Sequence, residues 1–204
     1  NMQRQPQRHY SLKDYFAIEA FSNIKHEYCN GEIFAMAGAS LNHNYIAVNV
    51  VTTLSNALKG GPCSAFGSDL RVATPSGLYT YPDVSVVCGE VELIPDGPDT
   101  ATNPCLLVEV LSEATREYDR GDKFTLYQSI PTLRDYVLIE QSRVFVEHFQ
   151  LTEQGVWTPQ VYTSLDDVVP LSAVNIQLPL LDIYSRVFSR SSLEPSVPPG
   201  APIR

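Results

Sequence analysis

The chain has 204 residues, of which 44% are hydrophobic and 18% charged, and its formal net charge at pH 7 is −9. This length is sufficient for one globular domain with a sizeable core, and the composition is typical of soluble proteins. The negative charge argues against a protein that holds nucleic acid through a broad positive field, although it is compatible with a local groove. No apolar run reaches the roughly 20 residues needed to span a bilayer, so we expect no membrane association.

Four cysteines, Cys29, Cys63, Cys88 and Cys105, lie far apart and form no C-x-x-C pair, which argues against a zinc knuckle. Each adjoins apolar or small residues, so we expect buried, reduced thiols, because disulfides would need an oxidising compartment. The first residues, NMQRQPQRHY, are polar and lack the apolar core of a signal peptide. These features predict a cytoplasmic protein.

The N-terminal region predicts a helix followed by a β-hairpin. Ser11 is expected to cap a helix over residues 12–20. The pair Asn30-Gly31 predicts a type I′ turn, because both central positions of that turn need positive φ. The strands of this hairpin would be residues 24–29 and 32–36.

The segment LNHNYIAVNVVTTLSNALKGG predicts a second helix, capped by Ser40 or Asn42 and ended by its two glycines. The apolar positions that recur in it at helical spacing are Ile46, Val50, Leu54 and Leu58. The segments CSAFGSDLRVAT and LYTYPDVSVVC follow. We expect them to be neighbouring strands joined by a turn at residues 75–77.

The C-terminal half begins with a strand, CLLVEVL. A helix follows, for which Asp119 is favoured over Thr115 as the N-cap, because Gly121 is better tolerated in a first turn and Asp122 sits where a capping partner would. RDYVLIE and RVFVEHFQL predict an antiparallel pair, and GVWTPQVYT an outer strand. This order of elements predicts an α/β fold with a central mixed sheet flanked by helices.

The domain organisation follows from composition. We expect a disordered N-terminal arm at residues 1–10, a single domain at 11–188, and a disordered Pro/Ser-rich tail at 189–204. The apolar segments RVFVEHFQL and VWTPQVYT offer more strand than a small sheet easily covers. Because exposed strand edges invite pairing, they predict a homodimer.

Two predicted strands each carry one carboxylate, Asp83 and Glu109, among apolar residues. An ionised carboxylate in such a place is costly unless it is paired, hydrogen-bonded or bound to a metal. Since strand side chains alternate, Glu109 and Leu111 would share one face and Val108 and Val110 the other. If the two strands are neighbours, the carboxylates converge within roughly 6 Å and suit Mg²⁺ or Mn²⁺. The alternative is that each pairs with an arginine or lies at a strand end.

Lys123 lies in the first turns of the helix that follows the Glu109 strand. A helix in that position packs back on its sheet, so the ammonium could reach the two carboxylates, offset their charge and orient an attacking water. Tyr127 follows one turn later on the same face. The alternative for Lys123 is a solvent-exposed position.

Five motifs occur in order along the chain: HEYCNGEIFAMAGASLNHN, SDLRV, YPD (residues 81–83), EVL (residues 109–111) and YDRGDKFTLY. Together they resemble the Uma-two family of bacterial proteins, which is assigned to the restriction-endonuclease-like PD-(D/E)XK superfamily. The resemblance covers about residues 11 to 184. It implies a restriction-endonuclease-like fold and Mg²⁺- or Mn²⁺-dependent hydrolysis of DNA.

The resemblance also implies roles for particular residues. Asp83 and Glu109 would bind the metal, and the carbonyl of Val110 would add a ligand. In the superfamily the carboxylate strand normally ends in E-x-K, but the third position here is Leu111. The resemblance therefore implies that Lys123 supplies the ammonium from the following helix.

Further polar residues have two interpretations each. The superfamily often recruits an additional acidic residue from an N-terminal element, which makes Glu27 a further catalytic candidate, with a surface pair to Lys25 or Arg71 as the alternative. Asp69 is expected to pair with Arg71 rather than to line the site. His43, at a helix start, either contacts phosphate or is a polar residue near the cap.

Three classes of function are compatible with these residues. The first is a metal-dependent endonuclease that uses Asp83, Glu109 and Lys123. The second is an inactive protein with the nuclease fold that acts as a nucleic-acid or protein binding module, which the negative net charge and Leu111 favour. The third is a glycoside hydrolase, which needs two carboxylates about 5 to 10 Å apart beside a sugar cleft. The single tryptophan, Trp157, gives a sugar-stacking groove little support.

Overall fold

The structure is a computed structural model that describes residues 9–188. Residues 1–8, which are most of the predicted arm, and the predicted tail at 189–204 lie outside the described residues. The backbone N–H of Tyr10 donates to the carbonyl oxygen of Gly31 at 2.9 Å. The chain is therefore attached to the first hairpin just before the first helix begins.

The helices of the described part are α1 (Leu12–Phe21), α2 (Leu41–Leu58), α3 (Arg116–Arg120), α4 (Asp122–Tyr127) and α5 (Leu180–Ile183). Ser11 and Asp14 cap α1 reciprocally, since the side chain of each accepts the backbone N–H of the other. Ser40, one of the two predicted residues, caps α2 by accepting the N–H of His43. The buried face of α2 is the predicted one: Ile46, Val50, Leu54 and Leu58.

The larger sheet has six strands in the order β11-β10-β9-β8-β6-β3. Its strands are β3 (Cys63–Phe66), β6 (Val84–Cys88), β8 (Pro104–Leu111), β9 (Asp135–Glu140), β10 (Val146–Leu151) and β11 (Trp157–Tyr162). Strands β8 and β9 are parallel, and the other neighbours are antiparallel. This confirms the predicted mixed sheet and places β11 at its edge.

A five-stranded sheet, in the order β2-β1-β5-β4-β7, lies beside it. Its strands are β1 (His26–Cys29), β2 (Glu32–Ala35), β4 (Arg71–Ala73), β5 (Leu78–Thr80) and β7 (Thr100–Ala101). The predicted hairpin is β1–β2, and Asn30 and Gly31 have φ of 47° and 98°, as a type I′ turn requires. A separate antiparallel ribbon consists of β12 (Val168–Leu171) and β13 (Ile176–Pro179).

The two strands predicted on either side of residues 75–77 are each divided between the sheets. β3 and β6 pair in the larger sheet, whereas β4 and β5 pair in the smaller one. The chain changes sheet at residues 67–70 and again at 81–83. The second change follows from Pro82, which has no N–H to donate to a strand ladder.

Both faces of the larger sheet are covered. Val108 and Val110 pack on the side of α2, while Leu107 and Leu111 pack on the side of α4. The predicted alternation along β8 is therefore confirmed, and Glu109 lies on the α4 face.

The single helix predicted to begin at Asp119 is instead the pair α3 and α4, separated by Gly121. A Cβ at Gly121 would lie 2.9 Å from the carbonyl oxygen of Glu117, so glycine permits this close turn. Asp119 lies inside α3, and no side chain caps α4. The prediction that Asp119 is the cap is wrong.

Cys63 and Cys88 are direct cross-strand partners of β3 and β6 and form a disulfide. The prediction of reduced thiols is wrong for this pair, because apolar neighbours in sequence do not reveal which strands pair. The inference of a cytoplasmic location loses that support. Cys29 and Cys105 are free. Across residues 9–188, no helix is long and apolar enough to cross a membrane.

Candidate active site

Asp83 and Glu109 meet where β6 begins and β8 approaches its end. Val84 pairs with Val108 across these antiparallel strands, which places Asp83 opposite Glu109. Asp83 Oδ2 accepts the backbone N–H of Val110 at 2.7 Å. The prediction that the two carboxylate strands are neighbours is confirmed.

Lys123 points into this cluster from α4. Its Nζ lies 3.1 Å from Glu109 Oε1, and only 4% of the residue is exposed. Tyr127, one turn later, donates its hydroxyl to the same Glu109 oxygen at 2.8 Å. The prediction that the Lys123 ammonium lies within about 3 to 5 Å of a site carboxylate is confirmed, and its solvent-exposed alternative is wrong.

Two further carboxylates surround the same ammonium. Asp119 Oδ1 lies 3.7 Å from Lys123 Nζ, and Glu27 Oε2 lies 4.0 Å from it. Glu27 also accepts the hydroxyl of Thr80 at 2.8 Å. The smaller sheet therefore contributes Glu27 from β1, and its side chain turns toward the cluster rather than toward Lys25 or Arg71.

Asp69 does not belong to this site. Its side chain is 96% exposed and pairs with Lys25 at 2.5 Å, so the predicted pair with Arg71 is wrong. Arg71 instead donates to the hydroxyl of Tyr81 at 2.7 Å and lies 4.0 Å from Glu19. These contacts belong to a neighbouring buried network between α1 and the smaller sheet.

His43 reaches the site from the first turn of α2. Its Nε2 lies 3.1 Å from Asp83 Oδ1, and within the described chain its buried Nδ1 has no hydrogen-bond partner. Both oxygens of Asp83 are therefore engaged, one by His43 and one by Val110. Neither this contact nor the contact between Lys123 and Asp119 was predicted from the sequence. The available signals were a histidine two residues into a helix and an acid four residues before the lysine.

Burial and charge together set the protonation of these groups. Burial raises the pKa of Glu109 well above its usual value, and Asp83 and Asp119 add to the rise while Lys123 opposes it. Burial also raises the pKa of Asp119, helped by the charges of Asp83 and Glu27 and opposed by Lys123. Burial by itself would lower the pKa of Lys123, but the three carboxylates around it outweigh burial and raise it. Lys123 therefore remains an ammonium at neutral pH.

Asp83 and His43 behave as a pair. Burial alone would raise the pKa of Asp83, but the contact with His43, the N–H of Val110 and the charge of Lys123 lower it. Burial alone would lower the pKa of His43, but Asp83 outweighs burial and raises it. The pair therefore favours an ionised aspartate beside an imidazole that binds its proton more tightly than usual.

Carboxylate oxygens are the donors that a hard divalent cation takes, and several of them come together in this cluster. Glu109, Asp119 and Glu27 lie within 4.0 Å of one lysine ammonium, and Asp83 lies opposite Glu109 on the neighbouring strand, so carboxylates outnumber the ammonium in this cluster. Within residues 9–188, no group of three or more His, Cys, Asp and Glu side chains is arranged to hold a metal. A cation bound here would therefore need water or substrate phosphate to complete its shell, as Mg²⁺ in proteins commonly does.

The fold and this cluster define a restriction-endonuclease-like α/β protein. A solved structure from Anabaena variabilis, described as "a putative nuclease belonging to DUF820", is similar to it with a TM-score of 0.68. The two chains share 18% sequence identity, and the match covers 82% of this chain and 93% of that one. At this identity the likeness shows the fold. The model of the family Uma2, described as "Putative restriction endonuclease", matches residues 12–181, and this chain belongs to that family.

Two relatives from Synechocystis sp. extend over most of the chain. The uncharacterized protein slr1290 is 37% identical over 175 residues, which are 85% of this chain and 90% of that protein. The uncharacterized protein sll1609 is 36% identical over 145 residues, which are 71% of this chain and 82% of that protein.

Proposed function

We propose that this protein is an endonuclease that hydrolyses phosphodiester bonds of DNA and depends on Mg²⁺ or Mn²⁺. The contact between Lys123 and Glu109 carries the proposal, because it supplies from α4 the ammonium that Leu111 cannot supply at the end of β8. Family membership and the nuclease named in the Anabaena structure support the same class of reaction.

The proposed cation ligands are Asp83 and Glu109, with Glu27 and the carbonyl of Val110 as further candidates. A divalent cation at these oxygens would polarise a phosphoryl oxygen and stabilise the negative charge that develops in the transition state. Side chains of this protein would orient the attacking water and hold the carboxylates in position.

Lys123 would act as a cation and hydrogen-bond donor, because its raised pKa keeps it protonated. Its ammonium would orient a water for in-line attack at phosphorus and neutralise charge on the phosphoryl group. A bond forms between the water oxygen and phosphorus while the bond from phosphorus to the leaving oxygen breaks. Tyr127 fixes Glu109, and His43 fixes Asp83, so both are positioning residues.

Cleavage of supercoiled plasmid tests this proposal. The purified protein is expected to nick or linearise the plasmid with Mg²⁺ or Mn²⁺ and to stop when EDTA is added. Asp83→Asn should abolish cleavage, while Asp69→Asn, which changes an exposed carboxylate that pairs with Lys25, should leave it unchanged. Absence of metal-dependent cleavage by the parent protein, or equal cleavage by Asp83→Asn, would contradict the proposal.

A second candidate is a binding module that keeps the fold without turnover. Leu111 favours it, because this residue is 2% exposed and packs with the α4 side chains at the position where the superfamily carries its lysine. The engagement of both Asp83 oxygens by protein donors also favours it. DNA binding without cleavage, unchanged by Lys123→Met, would support this candidate over the enzyme.

The proposal also places the protein in the cytoplasm, together with DNA. The Cys63–Cys88 disulfide is the observation against this location, because disulfides are rare in the cytosol. Alkylation of thiols in freshly lysed cells, followed by mass spectrometry, would distinguish the two cases. Full alkylation of Cys63 and Cys88 supports the cytoplasm, and complete protection of both contradicts it.

A further inference from the structure

A cavity of about 300 Å³ lies at the end of β8, on the α3 side of the larger sheet. Its lining includes three arginines and two glutamates together with the end of β8: Leu111, Arg116, Arg120, Arg143, Glu140 and Glu147. Three cations against two anions leave the cavity positive within a chain whose net charge is −9. The proposed role of the carboxylate–lysine cluster gives no reason for a positive cavity in an acidic protein.

The carboxylates hold two of these arginines in place. Arg116 donates through Nε and Nη2 to the two oxygens of Glu140 at 2.6 and 2.7 Å. Arg120 does the same to Glu147 at 3.0 and 3.2 Å. A guanidinium has more N–H donors than one carboxylate can occupy, so each arginine keeps donors for a second acceptor while its orientation is fixed.

Arg143 supplies the surplus charge. Among the described residues it forms no ion pair, and its guanidinium carbon lies 4.3 Å from the centre of the Phe145 ring. Stacking on an aromatic ring restrains a guanidinium and leaves its edge donors available. The cavity therefore has an exposed, restrained arginine beside two arginines that are fixed by ion pairs.

The cavity lies close enough to the cluster to contact the same ligand. Leu111 follows Glu109 by two residues on the same face of β8, a distance of about 7 Å along a strand. In addition, Arg120 adjoins Asp119, which contacts Lys123 at 3.7 Å. Successive nucleotides of one DNA strand rise about 3.4 Å along the helix axis. Because the backbone also winds around the axis, consecutive phosphates are farther apart than this rise, so a phosphate in the cavity would be a neighbour of a phosphate at Glu109.

A second cavity of about 660 Å³ continues the surface beyond Arg116, toward Ser40 and Asn42 at the N-terminus of α2. Its lining also contains Glu113, Gln141 and Ser142, and the charges of Arg116 and Glu113, its two charged lining residues, offset each other. The positive charge is therefore concentrated on the side of Arg143 and Arg120.

From these contacts we propose that the cavity lined by Arg116, Arg120 and Arg143 binds a backbone phosphate of DNA next to the scissile one. The inference rests on the proposed function, since it assigns a flanking subsite of the same substrate. Guanidinium groups match phosphate geometry, and phosphate contacts of this kind set the register of a bound strand without reading its bases. Binding there would explain how an acidic protein holds a polyanion.

The test measures DNA affinity as a function of salt for the full chain. Fluorescence anisotropy would follow a labelled duplex with hydrolysis-resistant linkages, with and without Mg²⁺. Arg143→Gln is expected to make the slope of log K against log salt shallower by about 0.9, for one lost contact. If the two proteins bind equally at 1 M salt, the variant then binds about eightfold more weakly than the parent protein at 0.1 M salt. Arg143→Glu should weaken binding further, because it also repels the phosphate.

Arg134→Gln is the matched control. Arg134 is an exposed arginine just before β9, and its guanidinium donates to backbone carbonyls. It lies at the opposite end of β9 from Glu140, which lines the cavity. This control should leave the affinity and its salt slope unchanged. If Arg143→Gln and Arg143→Glu bind DNA like the parent protein, or if the parent protein does not bind DNA in either buffer, the phosphate subsite is refuted. If Arg143-dependent binding occurs but plasmid is not cleaved, the subsite stands and the proposed nuclease function fails.

Discussion

Replacing Lys123 with methionine removes a buried ammonium from a group of three carboxylates. The ammonium lies 3.1 Å from Glu109, 3.7 Å from Asp119 and 4.0 Å from Glu27. Methionine retains most of the apolar stem, so the change isolates the charge. Removing one partner of a buried ion pair costs about 3–5 kcal/mol of unfolding free energy. For a domain of this size, that corresponds to a melting temperature lower by roughly 6–20 °C.

The loss of unfolding free energy in Lys123→Met should increase as the pH rises. Without Lys123, burial and the neighbouring acids raise the pKa of Glu109 further, because the group that opposed them is gone. A carboxyl whose pKa is higher in the folded state than in the unfolded state stabilises the fold when protonated. That stabilisation is lost as the pH rises from its unfolded pKa through its folded one. The deficit relative to the parent protein is therefore expected to be smallest at acidic pH, where Glu109 is protonated in both folded proteins, and to grow as the pH rises through the folded pKa of Glu109.

Urea unfolding of both proteins at several pH values would measure this deficit. Plasmid cleavage, compared at equal folded fraction, should fall at least about a hundredfold, the usual scale for one lost transition-state contact. The double variant Lys123→Met/Glu109→Gln should recover part of the stability and none of the cleavage, which separates the unpaired charge from catalysis. The reasoning is refuted if Lys123→Met is as stable as the parent protein at pH 8 and cleaves DNA equally well.

Three further predictions concern other parts of the molecule. His43→Ala should lower the unfolding free energy by about 1.5–3 kcal/mol at pH 6, without added metal, and by less at pH 9. The raised pKa of His43 means that its stabilising contact with Asp83 is complete below about pH 6.5 and is lost as the pH rises through the folded value; equal losses at both pH values would contradict it. Reduction of the Cys63–Cys88 disulfide, which joins residues 25 apart, should lower the unfolding free energy measured in urea by about 3.5 kcal/mol. The variant Cys63→Ser, which cannot form this disulfide, should show no change in unfolding free energy when reductant is added. If the edge strand β11 pairs with its copy in a second chain, light scattering should give twice the chain mass of 22.6 kDa. Val161→Lys, which places a charge on the exposed edge strand, should then reduce the measured mass to that of one chain. A single-chain mass for the parent protein at high concentration would refute the dimer.

The sequence by itself determined the elements whose causes are local. The capping box at Ser11 and Asp14, the Asn30-Gly31 turn and the apolar face of α2 each depend on residues within a few positions of one another. The alternation that separates Glu109 from Val110 on β8 is equally local, because it follows from the period of a strand. For these reasons Lys123, which lies in the first helical turns after that strand, could be predicted as a partner of Glu109.

The tertiary structure alone decided which distant segments meet. Pairing across strands divided two predicted strands between two sheets and brought Cys63 to Cys88. The approach of α2 to β6 put His43 on Asp83, and the turn at Gly121 moved Asp119 from the expected cap position to a contact with Lys123. Each of these contacts depends on backbone hydrogen bonds and packing between elements far apart in the chain. A local pattern carries no information about which of several compatible elements will pack together, so the carboxylates could be found from the sequence but their complete set of partners could not.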